Sequence, residues 1–192
     1  MKTTKINNNF LLVTGLILAA VASRIIPHPF NFTPMIAVAL FAGAKYREKT
    51  WSVFIPVVAF LISDAILSYI NHYELFHDTI FFTYGSMLLI ILLGRSLNTG
   101  KLNIGRTIGI SLSSSLIFFI ITNFGVWLFG NMYTLNLNGL IQCYILAIPF
   151  NKFSWLGDLF FVFALFGVYE FATRRQSTIS NEMAWQKSDT ID

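Results

Sequence analysis

Along this chain, apolar runs alternate with short polar stretches. The runs fall near residues 10–26, 31–46, 51–70, 79–97, 108–129 and 153–173, with a weaker apolar segment at 135–150. Unbroken runs of about 16 to 22 residues match membrane-crossing helices, whereas a membrane barrel would need alternating strands of roughly ten residues. The pattern therefore predicts an all-α fold, a polytopic membrane helical bundle with about six transmembrane helices. The second run is short for a crossing, and Pro34 suits its first turn, where a missing N–H costs little. Pro56 should bend the third helix unless it too falls in a first turn.

Composition agrees with this picture, since 55% of the 192 residues are hydrophobic and only 11% are charged. Charge adds an orientation. With the N-terminus in the cytoplasm, eleven of the thirteen Lys and Arg residues fall on the inner side, leaving Arg24 and Lys152 outside. Both termini are then cytoplasmic, and the expected setting is a bacterial inner (plasma) membrane. Because the basic residues sit in short loops, their excess reports topology and does not indicate nucleic acid. Residues 1–175 read as a single transmembrane domain and 176–192 as a flexible polar cytoplasmic tail. One rival exists for the start of the chain: Lys2, Lys5, the apolar run from Phe10 to Val21 and "AVAS" at 20–23 also describe a cleavable signal peptide. The single cysteine, Cys143, excludes an intrachain disulfide and a Cys-based zinc site, and reads as a packing residue.

Polar residues inside the runs carry the candidate chemistry. Asp64 lies thirteen residues after Trp51 on a helix that runs outward, which places it roughly 20 Å from the inner end at about 1.5 Å per residue. The same count brings Asn123, on the outward fifth helix, and Asp158, on the inward sixth, to about one depth, some 7 to 9 Å below the outer surface. Arg24, at the outer end of the first helix, occupies that layer as well. Ionisable groups within spans are costly and usually face the bundle interior, where they pair or bind something. Two compatible readings follow: a salt bridge from Arg24 to Asp64 or Asp158 that fixes packing, and a polar ligand pocket open to the outside. The outer segments supply more such groups, with His28, Asn31 and Thr33 on a proline-stiffened hairpin and Asn138, Gln142, Tyr144 and Trp155 in a long 130–157 connection. Aromatics beside amide and imidazole groups suit a small polar or heterocyclic ligand, although Trp127 and Trp155 taken singly also fit an interfacial aromatic belt. The spacing of His28, His72 and His77 specifies no metal site, and no cofactor is expected.

Small residues recur every four positions at Gly15, Ala19 and Ser23 on the first helix and at Gly105, Gly109 and Ser113 on the fifth, with Ala39 and Gly43 on the second. Ordinary packing within the bundle explains all three, and a face for a partner subunit is the functional alternative for the first. With no P-loop present, ATP hydrolysis would belong to another chain. "WLGDLF" at 155–160 partly resembles the Gly-x-Gly-Asp motif of intramembrane aspartyl proteases, but Trp155 stands in place of the first Gly.

"HPFNFTPMIAVALFAGA" at 28–44, "LISD" at 61–64, "ITNFGVWL" at 121–128 and "GDLFF" at 157–161 resemble an uncharacterised family of small six-helix bacterial membrane proteins. In architecture the chain also resembles the substrate-binding S components of energy-coupling-factor vitamin transporters. That resemblance implies a ligand held under the outer loops and a small-residue motif on the first helix that docks on a transmembrane coupling subunit. Gly15, Ala19 and Ser23 would be the docking stripe, departing from an Ala-x-x-x-Ala pattern at two positions. The leading expectation is thus a non-enzymatic, S-component-like subunit that binds a small molecule such as a vitamin or precursor, with an energising module of coupling subunit and ATPases as partner. Its expected ligand-binding residues are Arg24, His28, Asn31, Asp64, Asn123, Trp127, Trp155 and Asp158. The alternatives are an intramembrane acid/base enzyme using Asp64 and Asp158, and a structural or assembly subunit.

Overall fold

The computed structural model describes residues 8–29, 31–97 and 103–188. Lys2, Lys5 and Lys101, which enter the orientation argument, lie outside the described residues. Six α-helices follow one another: α1 (Asn8–Ala22), α2 (Met35–Lys45), α3 (Lys49–Asn71), α4 (Ile80–Gly94), α5 (Ile104–Phe129) and α6 (Leu137–Ser188). Short 3-10 turns extend α1 through Ser23–Ile25 and α4 through Arg95–Leu97, and no strand occurs among the described residues. Side-chain caps mark two of the helix starts. Asn103 Oδ1 accepts the Arg106 N–H at 2.9 Å to open α5, and Asn136 Oδ1 accepts the Gly139 N–H at 2.9 Å to open α6.

The centre of the molecule is the short helix. All ten residues from Met35 to Ala44 are buried, and α2 touches each of the other five helices. At about 1.5 Å per residue its length is only about 16 Å, too little to cross a bilayer. Its composition, "MIAVALFAGA", explains why it can sit in the middle: small side chains let neighbouring backbones come close. Closest is the crossing with α4, where a Cβ added at Gly43 would collide with the Ile91 carbonyl and one added at Gly94 with the Leu40 carbonyl. Phe41, Phe60, Phe166, Met87 and Ile90 fill the space around this crossing.

Four helices are long and apolar enough to span a membrane: α3, α4 with its extension, α5, and α6 over Leu137–Thr178. The apolar segments Asn9–Ile25 and Met35–Lys45 are shorter. The all-helical class and the six helices are as the hydrophobic pattern predicts, while the crossing-length criterion is met by four of them. Pro56 lies inside α3, eighth from its start, and is buried. Neither the Gly15–Ala19 face of α1 nor the Gly105–Gly109–Ser113 face of α5 is packed in the bundle; both are exposed, and only the α2 stripe is explained by internal contact.

One difference from the sequence reading concerns α6. The segment expected as an outer connection from 130 to 157 is helical from Leu137, and the 176–192 tail is helical through Ser188. Only residues 130–136 remain as the turn after α5. Pro149 lies within this helix, where it withholds one N–H from the carbonyl of Ile145. Contacts with α5 show the effect. Cys143 Sγ meets the Asn123 carbonyl at 3.4 Å, and Asp158 Oδ2 accepts from Ser115 Oγ at 2.6 Å. Fifteen residues of α6, about 22 Å of helix, therefore stand opposite eight of α5, about 12 Å. Two helices in continuous contact would use nearly equal lengths. Between these two contacts, around Pro149, α6 stands off α5 and a space lies between them.

Candidate functional site

Where α6 stands off α5, there is a cavity of about 390 Å³. Arg24 contributes to its wall from the end of α1, Asn31 and Thr33 from the loop before α2, and Met35 and Ile36 from the first turn of α2. Thr83 of α4 adds one group. From α5 come Phe118, Phe119, Thr122 and Asn123, and from the stretch of α6 around Pro149 come Ala147, Phe150, Asn151, Ser154 and Asp158. Spacings of three and four place each of these last two sets on one helical face.

Arg24 is held on the side of α3. Its Nη1 forms an ion pair with Asp64 Oδ1 at 2.7 Å and donates to Ser63 Oγ at 3.1 Å, while the guanidinium lies 4.8 Å from the centre of the Phe60 ring. Asp64 also accepts the Tyr84 hydroxyl at 2.5 Å. The salt-bridge reading of Arg24 is thus correct in its first form, with Asp64 as partner, and Asp64 itself stays outside the cavity wall.

Asp158 has different neighbours. It is 3% exposed, and one oxygen accepts from Ser115 Oγ. No cationic side chain among the described residues pairs with it. A buried carboxylate without a counter-charge is the costliest kind of group to place in a helix bundle. The loop opposite it is shaped by Asn31, whose φ of 61° is a left-handed conformation that Asn tolerates better than most residues. Asn31 Nδ2 reaches across to the Phe150 carbonyl at 3.4 Å, tying this loop to α6. Gly157 lets the same loop approach, since a Cβ there would stand 3.1 Å from Phe32 Cα.

Of the eight residues expected to bind ligand, Arg24, Asn31, Asn123 and Asp158 line the cavity, and Asp64 stands behind Arg24. The remaining three lie elsewhere. His28 is exposed, its ring nitrogen 3.0 Å from the Pro29 carbonyl. Trp127 donates its indole N–H to the Thr134 carbonyl at 3.0 Å and packs on Phe124. Trp155 is 44% exposed and turned off the face that carries Ser154 and Asp158, because each helical residue rotates by about 100°. The flat surfaces available to a ligand are instead Phe118, Phe119 and Phe150. Thr122, Asn151 and Ser154 join the wall without standing out in the sequence, although they flank Asn123 or recur at i−4 and i−7 from Asp158.

Gly15 and Ala19, expected to serve docking, are exposed, while Ser23 is half-buried and returns its hydroxyl to the Ala20 carbonyl at 2.6 Å. No group of three or more His, Cys, Asp or Glu side chains suited to a metal occurs among the described residues.

Apolar helices of crossing length arranged around a polar chamber define a helical membrane protein. Within that class the chain belongs to a family of unknown function, DUF6580, whose model matches residues 4–181. No curated protein and no solved structure matches it.

Proposed function

We propose that this protein is a membrane-embedded binding subunit that takes a small polar molecule into the cavity between α5 and the part of α6 around Pro149. The observation that carries the reading is the unpaired Asp158 carboxylate on the wall of a chamber of about 390 Å³, a volume within the usual range for small-molecule sites. Evolution toward packing alone would favour an apolar residue there, because a buried charge lowers stability unless something compensates it. Capture from the outer face of a bacterial inner membrane, delivery of a vitamin-like compound and docking of the exposed Gly15–Ala19 stripe on a coupling subunit with ATPases complete the S-component-like reading. The resemblance in architecture supports these last three steps.

Native mass spectrometry tests the binding step. Protein equilibrated with the small-molecule fraction of growth medium should retain a species of a few hundred daltons, and Ala147→Trp, which fills the cavity, should abolish it while the protein remains folded. Retention unchanged by Ala147→Trp, or no retained species in the unmodified protein, would show that the cavity is not a binding site.

A further inference from the structure

The charges and hydrogen-bond donors around the cavity specify what it would hold. We infer that the ligand is an organic cation, a protonated amine or amidine on a flat apolar body, with its N–H groups directed at Asp158. The inference rests on the binding function proposed above and adds the ligand's charge.

Among the described residues, only two charged side chains, Arg24 and Asp158, reach the wall. Arg24 is already neutralised by Asp64 behind it, so the pair brings no net charge to the chamber. Asp158 has one oxygen engaged by Ser115 and no cation beside it, so in its ionised form, the form a bound cation would hold, it leaves the site one negative charge in excess. Lys152, six residues earlier on α6, is exposed and lies 5.0 Å from the Phe153 ring centre, outside the wall.

The neutral polar groups point the same way. Asn123 Nδ2 donates to the Phe119 carbonyl at 2.8 Å and Thr122 Oγ1 to the Phe118 carbonyl at 2.8 Å. Asn31 Nδ2 is engaged by the Phe150 carbonyl. One N–H of each amide and the Thr122 hydroxyl proton satisfy the protein's own backbone, leaving the side-chain oxygens as acceptors and one further N–H on each amide. A wall rich in acceptors and negative in sum recognises a donor-rich cation. Phe118, Phe119 and Phe150 offer it ring faces, which also attract cations.

Two features favour an anion: the Arg24 Nε–H, buried without a partner, and the first turn of α2, whose Met35 and Ile36 line the wall. A helix N-terminus carries about half a positive charge, which falls off within a turn, against the full charge of a carboxylate. No backbone N–H of that turn bonds Asp158 among the described residues, so the carboxylate dominates.

Three probes of one shape and different charge decide between these possibilities: benzamidinium, benzamide and benzoate, titrated by calorimetry against the protein in nanodiscs. Benzamidinium should bind at least about tenfold more tightly than the other two, the value of one charge-assisted hydrogen bond, and Asp158→Asn should erase the preference. Equal binding of all three, abolished by Ala147→Trp, would keep the cavity as a site and overturn the cation inference. Tighter binding of benzoate would overturn it in favour of Arg24 and the α2 terminus. Failure of benzamidinium to bind would overturn it as well. The preference is read on the unmodified protein, so it holds or fails whether or not the Asn variant folds.

Discussion

Removing the Arg24 guanidinium would leave the Asp64 carboxylate, only 19% exposed at its side chain, with the Tyr84 hydroxyl as its remaining partner. Breaking one side of a buried pair costs more than the pair contributes, because an uncompensated charge stays behind. Arg24→Met should therefore destabilise the protein by about 3 kcal/mol, and adding Asp64→Asn should recover much of that loss. Denaturation midpoints of the two single variants and the double variant check this, and additive effects would show that the residues are not coupled. At the cavity, Asp158→Ala and Asn123→Ala should each weaken ligand retention in native mass spectra without loss of folded protein. Depth along a helix is legible in the sequence, and it brings Arg24, Asp64, Asn123 and Asp158 together. Direction is not. Trp155 lies near Asp158 in the chain but faces outward, and Trp127 is claimed by its own turn; rotation about a helix axis depends on neighbours that no local pattern names.

Between elements, the closest approach is set by two glycines. Gly43→Ala places a methyl group against the Ile91 carbonyl of α4, and backbone cannot move aside as a flexible side chain would. A loss of about 2 kcal/mol is expected. Gly109 of α5 has nothing within 4 Å of its missing Cβ, so Gly109→Ala should be neutral or slightly stabilising. Matched melting curves test the contrast, and similar effects at both positions would contradict the close crossing. Small-residue stripes look alike in sequence on α1, α2 and α5; only contact distinguishes the one that packs. The 135–150 segment misleads for a related reason. Its polar amides and Pro149 suggest a connection, yet the Asn136 cap starts a helix that continues through the proline, and residues on both sides of Pro149 line the chamber.

Across the whole molecule, α2 is joined to α6 at one end by packing and at the other by charge. Lys45 Nζ lies 3.2 Å from Glu170 Oε1 and 4.4 Å from the Tyr169 ring centre. Glu170→Gln should lower stability by about 2 kcal/mol, since the ammonium keeps its aromatic neighbour but loses its counter-ion. A thermal shift in detergent would measure it, and no change would mean that water screens the pair fully.

The central place of α2 also bears on how the chain is made. Ribosomes deliver this short helix before the α4 and α6 surfaces that enclose it. Until α6 is synthesised, a helix of about 16 Å lacks the length to hold itself across a bilayer and still lacks one of the partners that bury it. Assembly must finish after α6 has been made, and chains cut short before α6 would carry a partly unsheltered apolar segment that proteases of the membrane can recognise.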